Sequence, residues 1–317
     1  METATATTGA NQSDRPPTSS NGVHSSSRET ESRSGSQTGN GRFVRIAKAF
    51  RGSPMMTVGL ILLLAITLAC FVIPAVSHVD AYATDTSKML LAPSASHIMG
   101  TDNLGRDVAT RVLLGGRSSL TVGFYTALFS GLIGLVIGLY SAYSPRLGAV
   151  LMRLCDGVMA FPAILFGIVF VEVMGASARS VIVALSIVFI PYVARVVRSS
   201  ALSSLGENYV QSLIGLGASR FEILWRNVVL NVIPSWIVQV TFVFADAILV
   251  EAAMSFVGAG VPQPTPTWGN MLYDSRTYMY NASWMVLFPG CALALTVFLI
   301  NTVGDSLREV LDPKRRG

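Results

Sequence analysis

Six stretches of this sequence stay almost free of charge over lengths that would cross a bilayer. They are roughly Met56–Ser77, Leu120–Ser144, Gly148–Met174, Ser180–Val197, Val228–Phe256 and Trp284–Thr302. At about 1.5 Å per residue, each covers roughly 30 Å of hydrocarbon. Backbone polar groups in lipid must pair internally, so a span is either a helix or a strand of a closed barrel. None of the stretches alternates with the period of a barrel strand, so helices are expected. The chain therefore reads as an all-α polytopic membrane protein with six transmembrane helices. Composition agrees: 51% of its residues are hydrophobic and only 13% are charged. That balance excludes a soluble enzyme, a disordered regulator and a disulfide-stapled secreted domain. Only Gly175–Arg179 separates the third stretch from the fourth, and a single long re-entrant hairpin is the alternative there.

The first 41 residues differ in kind. Sixteen of the first forty are Ser or Thr, and Val23 is the only branched aliphatic among them. Such a segment has too little to bury to offset its ordering entropy, so a disordered cytoplasmic tail is expected. It lacks the apolar core of a signal peptide, and the first span is expected to stay attached as a signal anchor. Beyond the tail, fourteen Lys and Arg fall on one side of the spans and six on the other. The positive-inside rule then places both termini in the cytoplasm. Cationic loops on one face also account for the net charge of +5, without invoking nucleic acid.

Chemistry-bearing motifs are absent. Cys70, Cys155 and Cys291 all lie in apolar stretches, as packing thiols do, and His24, His78 and His97 are scattered singly. No metal site is indicated. The three lysines leave no place for a phosphate-binding Gly-x-x-x-x-Gly-Lys loop, and no Ser-His-Asp or Cys-His set is available, since no histidine lies in a span. The chain is not expected to be an enzyme or to bind a cofactor itself.

Five acidic residues fall in or at the ends of spans: Asp156, Glu172, Asp246, Glu251 and Asp305. An ionised group at the bilayer centre costs about 2.5–3.5 kcal/mol, so each needs a partner or water. Asp156 is within reach of Arg153, and Asp305 of Arg308. Asp246 lies deepest and has no nearby cation in sequence, which suggests a polar interior or a water-filled path. Pro162, Pro191, Pro234 and Pro289 interrupt four spans and mark kinks. In the external connection 78–117, Asp102 is expected to cap an interfacial helix bearing Leu104, Val108 and Val112, with Asp107 and Arg111 paired four apart. The proline-rich run 262–268 reads as a stiff external excursion.

The cytoplasmic connection 198–227 is the most informative. Tyr209 with Leu213, and Val210 with Ile214, form an apolar face on a short helix, which Gly217 ends with a left-handed turn. Phe221, Leu224, Trp225 and Val228 then restart a helical stripe. Two short amphipathic helices thus meet at a sharp Gly217-Ala218-Ser219 turn. Periodicity alone leaves open whether this knuckle merely covers helix ends or serves a moving partner.

These residues resemble the cytoplasmic coupling motif of ABC importer permeases, with Gln211 at its start, Gly217 six residues later, and Ala218 and Ser219 following. Three departures occur: Ser212 and Leu213 replace the paired alanines, and Leu230 replaces the proline before Asn231. Further blocks narrow the resemblance to the C-type permease subunit of the dipeptide/oligopeptide/nickel branch: His97–Asp107, Asp156 with Ala160–Pro162, Glu251–Leu272, Pro289-Gly290 and Asn301–Pro313. The resemblance spans about residues 43 to 313. It implies the type I (MetI-like) importer fold over residues 42–317. It also implies a homologous B-type permease partner, two ATPase subunits or domains that use ATP and Mg, and a solute-binding protein delivering di- or oligopeptides. Coupling would fall to Glu207, Tyr209, Gln211, Leu213, Gly217, Ala218, Ser219, Arg220 and Phe221. Candidates for the pathway and its gate are Asp246, Glu251, Phe256 and Trp268. The implied location is a bacterial inner or plasma membrane. Alternatives are a nickel-chelate, haem or other permease of the same branch, an ion-driven secondary transporter, and a non-transporting scaffold.

Overall fold

A computed structural model of the chain describes residues 54–76 and 80–311; the tail 1–41 lies outside them. The described residues are helical, joined by two irregular connections, with an isolated antiparallel bridge between Thr101 and Asp107. Helix α1 is Pro54–Val76, α2 Val108–Tyr143, α3 Pro145–Met159, α4 Ala163–Met174 and α5 Ala178–Leu205. The short α6, Asn208–Gly215, is followed by a single turn Arg220–Glu222 and a π-helical segment Ile223–Val228. That segment runs without a break into α7, Val229–Val257. Helices α8, Trp268–Ser275, and α9, Trp284–Leu311, complete the fold.

Five helices (α1, α2, α5, the π segment with α7, and α9) are long and apolar enough to cross a membrane. The expected third span is not straight. Helices α3 and α4 meet at a bend of 88° around Ala160–Pro162. Proline at 162 lacks the N–H that would continue α3 and presets an extended φ/ψ before α4. The pair gives a sixth crossing only as a broken one.

Small side chains decide the packing. Along α2, Gly134 and Gly138 lie so close to Val193 and Val197 of α5 that an added Cβ would fall 2.6 and 2.5 Å from them. On another face, Gly123 and Gly131 admit Ile248 and Val240 of α7 just as closely. With little hydrophobic drive between helices in lipid, such close approach is how they gain van der Waals contact. The resulting core joins Leu139, Val171, Leu185, Phe189, Val197, Val228 and Met254 from α2, α4, α5, the π segment and α7. Helix α1 leaves Leu64, Leu68 and Ile73 exposed, the apolar outer surface that lipid requires.

Two expectations about the 78–117 connection fail. The helix begins at Val108, not after Asp102, and continues as α2, so no separate interfacial helix precedes the span. Asp107 is its N-cap, Oδ2 accepting from the Thr110 N–H at 2.9 Å. Two ion pairs also differ: Asp156 of α3 pairs with Arg195 of α5 rather than Arg153, and Asp305 and Arg308, both exposed, form no ion pair among the described residues. Sequence proximity favoured the near partners, whereas helix packing brought Arg195 across.

Candidate functional site

The two ends of the helical bundle are built differently. One carries the connections 80–107 and 258–283, here termed the cap; the other carries 206–228, the knuckle.

In the cap, Asp102 is nearly fully buried. Its Oδ2 accepts from Arg106 Nε at 2.6 Å and lies 3.4 Å from Arg111 Nε. Asp274 of α8 closes the group, 3.7 Å from Arg106 and 3.9 Å from Arg111. Arg111 thus belongs to this four-charge group rather than to the expected pair with Asp107, which binds His97 Nδ1 at 3.0 Å instead. Burial pushes the Asp274 carboxyl above the usual carboxylate range, opposed by the hydrogen bond from Gln263 and the two arginine charges. At the surface, the Asp85 carboxyl is held down at about 2, chiefly by the Ser87 hydroxyl and then by Lys88. Gly105, at φ +74°, passes so near Asp85 that an added Cβ would lie 1.9 Å from that carbonyl oxygen.

A second buried group anchors the other half of the cap. Glu251 is 0% exposed. Its two oxygens accept from Ser255 Oγ at 2.7 Å and Ser119 Oγ at 3.1 Å. Those hydroxyls in turn accept from the backbone N–H of Val261 and of Trp268, both at 3.3 Å. One carboxylate thereby fastens α2, α7 and the 258–268 run together. Trp268 is also fully buried, its Nε1 donating to the Val112 carbonyl at 3.0 Å. Both residues are buried within this chain, behind its surface. Sequence gave Glu251 no visible partner because Ser119 is 132 positions away.

Asp246 and Phe256, by contrast, are exposed on α7. Asp246 has no ion pair or hydrogen bond among the described residues.

The knuckle has a buried root and an exposed tip. Val210, Ile223, Leu224 and Val228 are essentially inaccessible, and Leu213, Ala218 and Trp225 pack half-buried against the same core. The buried stripe of α6 is therefore Val210 with Leu213, while Tyr209 and Ile214, expected to be their partners, face outward. Gly217 takes φ +84° with nothing within 4 Å of a hypothetical Cβ. Ala218 N donates to Leu213 O at 3.1 Å, and the Ser219 hydroxyl accepts from Glu222 N at 3.2 Å. These bonds fix the turn. The Glu207 carbonyl accepts from the N–H groups of Val210 and Gln211 to start α6, and Gln211 Nε2 donates back to Leu205 O. Asn231 Nδ2 donates to Tyr209 OH at 2.7 Å, tying α6 to α7. Arg220 opens the turn after Ser219, and its side chain lies outside the described residues. At the tip, Leu216 is 84% and Phe221 55% exposed. Nothing in the sequence Ile223–Val228 marks the π segment at the root.

Residues 134–317 match the family model for the binding-protein-dependent transport system inner membrane component. A putative peptide transport system permease protein of Brucella suis biovar 1 (strain 1330) is 42% identical over 81% of this chain and 87% of its own. The dipeptide transport system permease protein of Alkalihalophilus pseudofirmus is 36% identical over 85% and 89%. The inward-facing MetNI methionine ABC transporter, a solved structure, aligns with TM-score 0.54 at 20% identity over 62% of this chain and 94% of that one. That likeness establishes the importer fold. The chain is a multi-pass membrane protein of the permease class, a transport subunit and not an enzyme. It belongs to the family of binding-protein-dependent transport system inner membrane components.

Proposed function

We propose that this chain forms one half of the pathway by which an ATP-driven importer takes up di- and oligopeptides, and that its knuckle is the seat for a cytoplasmic ATPase. The observation that carries the coupling role is the contrast within the knuckle. Its tip exposes Tyr209, Ile214, Leu216 and Phe221, while its root is locked into the core and runs directly into α7. An apolar patch of this kind on an otherwise well-packed turn marks a protein contact. A push on it has no soft joint short of the π segment to absorb it, so α7 is displaced with the knuckle. The named relatives supply the cargo class: they are peptide and dipeptide permeases.

In this reading both termini and the knuckle lie in the cytoplasm of a bacterial cell, and the cap faces outward to receive cargo from a solute-binding protein. A homologous B-type permease covers the exposed face of α7, on which Asp246 and Phe256 line the pathway. Glu251 and Trp268 brace the wall behind it. This chain binds no cofactor; ATP and Mg are used by the ATPase subunits.

The test uses the whole complex in proteoliposomes, with peptide uptake and ATP hydrolysis measured together. Gly217→Val, a β-branched residue at positive φ, is expected to abolish uptake while ATP hydrolysis and membrane insertion persist. Wild-type uptake in that variant would remove the knuckle from the coupling route.

A further inference from the structure

Asp246 is a carboxylate in an unusual setting. It sits on α7, the helix that continues the knuckle, in an apolar span of 35 residues. About 17 Å of helix separates it from the outer end at Val257. It is exposed, and among the described residues it has neither an ion pair nor a hydrogen bond. The other acidic groups of the spans are placed differently. Glu251 is enclosed by hydroxyls, Asp156 is paired with Arg195, Glu172 lies two residues from the end of α4, and Asp305 lies in the last two turns of α9.

Lipid is excluded as the environment of Asp246, because an ion there carries a cost that nothing on this chain offsets. Its own helix face says what kind of surface it belongs to. At spacings of three and four, Gln239 and Phe242 precede it and Leu249, Ala253 and Phe256 follow it, all exposed or half-exposed. This strip is mixed in polarity and holds no second charge. An apolar lining tolerates side chains of many shapes, whereas a single anion selects one charged group. A permease that passes peptides of varied sequence meets one cation on each of them, the amino-terminal ammonium, whatever the side chains.

We propose that Asp246 is the specificity-determining residue that pairs with the amino-terminal ammonium of the peptide as it passes α7. This rests on the peptide-permease reading above and deepens it. A short ammonium–carboxylate contact out of bulk water holds cargo in one orientation while the apolar strip leaves its side chains unread. A cationic side chain of the partner permease is the competing occupant, and the test separates the two.

The complete complex is reconstituted in proteoliposomes with its binding protein. Uptake is measured for trialanine and for N-acetyl-trialanine, each at concentrations that saturate the binding protein. Asp246→Asn is expected to slow trialanine uptake about tenfold, the loss typical of one charge-assisted hydrogen bond. N-acetyl-trialanine uptake is expected to stay at its wild-type level, and Asp246→Glu to retain most trialanine uptake. Three results overturn the assignment. One is unchanged trialanine uptake in Asp246→Asn. Another is an equal loss for both peptides. The third is loss of the partner permease from the purified complex, which gives the carboxylate to a protein contact. If the wild-type complex carries neither peptide, the cargo reading fails instead, and the two failures are not confused.

Discussion

Gly105 in the cap and Gly217 in the knuckle share nearly the same left-handed backbone, at φ +74° and +84°. Their surroundings are opposite. A Cβ on Gly105 would strike the Asp85 carbonyl, whereas one on Gly217 would meet nothing within 4 Å. The pair stands for its regions. The cap is held by internal contacts: Asp102, Arg106, Arg111 and Asp274 are buried against each other, and Trp268 and the serines that bind Glu251 are used in internal hydrogen bonds. The knuckle is firm at the root and carries the exposed apolar residues Leu216 and Phe221 on one short turn that runs into α7. A region that must hold shape under load is expected to be costly to mutate, whereas one that must meet a partner is expected to be cheap to mutate and functionally sensitive.

Mutations can break that contrast, and the largest effect is expected at Asp102. Asp102→Ala leaves Arg106 and Arg111 buried with only the more distant Asp274. A loss of about 4 kcal/mol is expected, read as a large fall in the thermal midpoint of the detergent-purified protein. A midpoint within a degree or two of wild type would mean water already reaches the group. Gly105→Ala should follow at about 3 kcal/mol, combining left-handed strain with a clash against backbone. Glu251→Ala strands the hydroxyls of Ser119 and Ser255 and is expected to cost about 2 kcal/mol. It should also raise amide exchange in residues 258–268 before the rest of the molecule, and uniform exchange would dissolve the notion of a single anchor.

On the other side of the comparison, Gly217→Ala bears the strain alone, about 1 kcal/mol. Its midpoint should barely move, so a drop as large as that of Gly105→Ala would show that the two regions do not differ. Smallest of all is Leu216→Ser. Removing an apolar side chain that is already 84% exposed should leave stability unchanged. Uptake driven by ATP should nonetheless fall, because the tip loses a contact residue. Normal uptake there would confine docking to the neighbouring Phe221 and Tyr209.

The same contrast runs along α7 itself. Asp246 and Glu251 are five positions apart on one helix, and both looked from sequence like acids in need of a partner. Packing separated them, turning Glu251 inward onto Ser119 and leaving Asp246 on an open face. Five residues on an α-helix turn through about 500°, so the two side chains point in markedly different directions. Which direction meets protein depends on the neighbouring helices.

The linear order of residues determined a good deal alone. Long apolar runs fixed the rough place of the crossings, because hydrocarbon admits only self-satisfied backbone. Gly217 between two amphipathic stripes fixed the knuckle, because the left-handed turn and the 3.6-residue period are both local. What only the tertiary structure decided was long-range. It set the partners of Asp102, Asp156, Arg111 and Glu251, the 88° break in the third crossing, and the start of α2 at Val108. It also chose which face of α6 is covered. Each depends on which side chains helix packing brings within a few ångströms, and small residues such as Gly134 and Gly138 allow contacts between segments that sequence spacing cannot reveal.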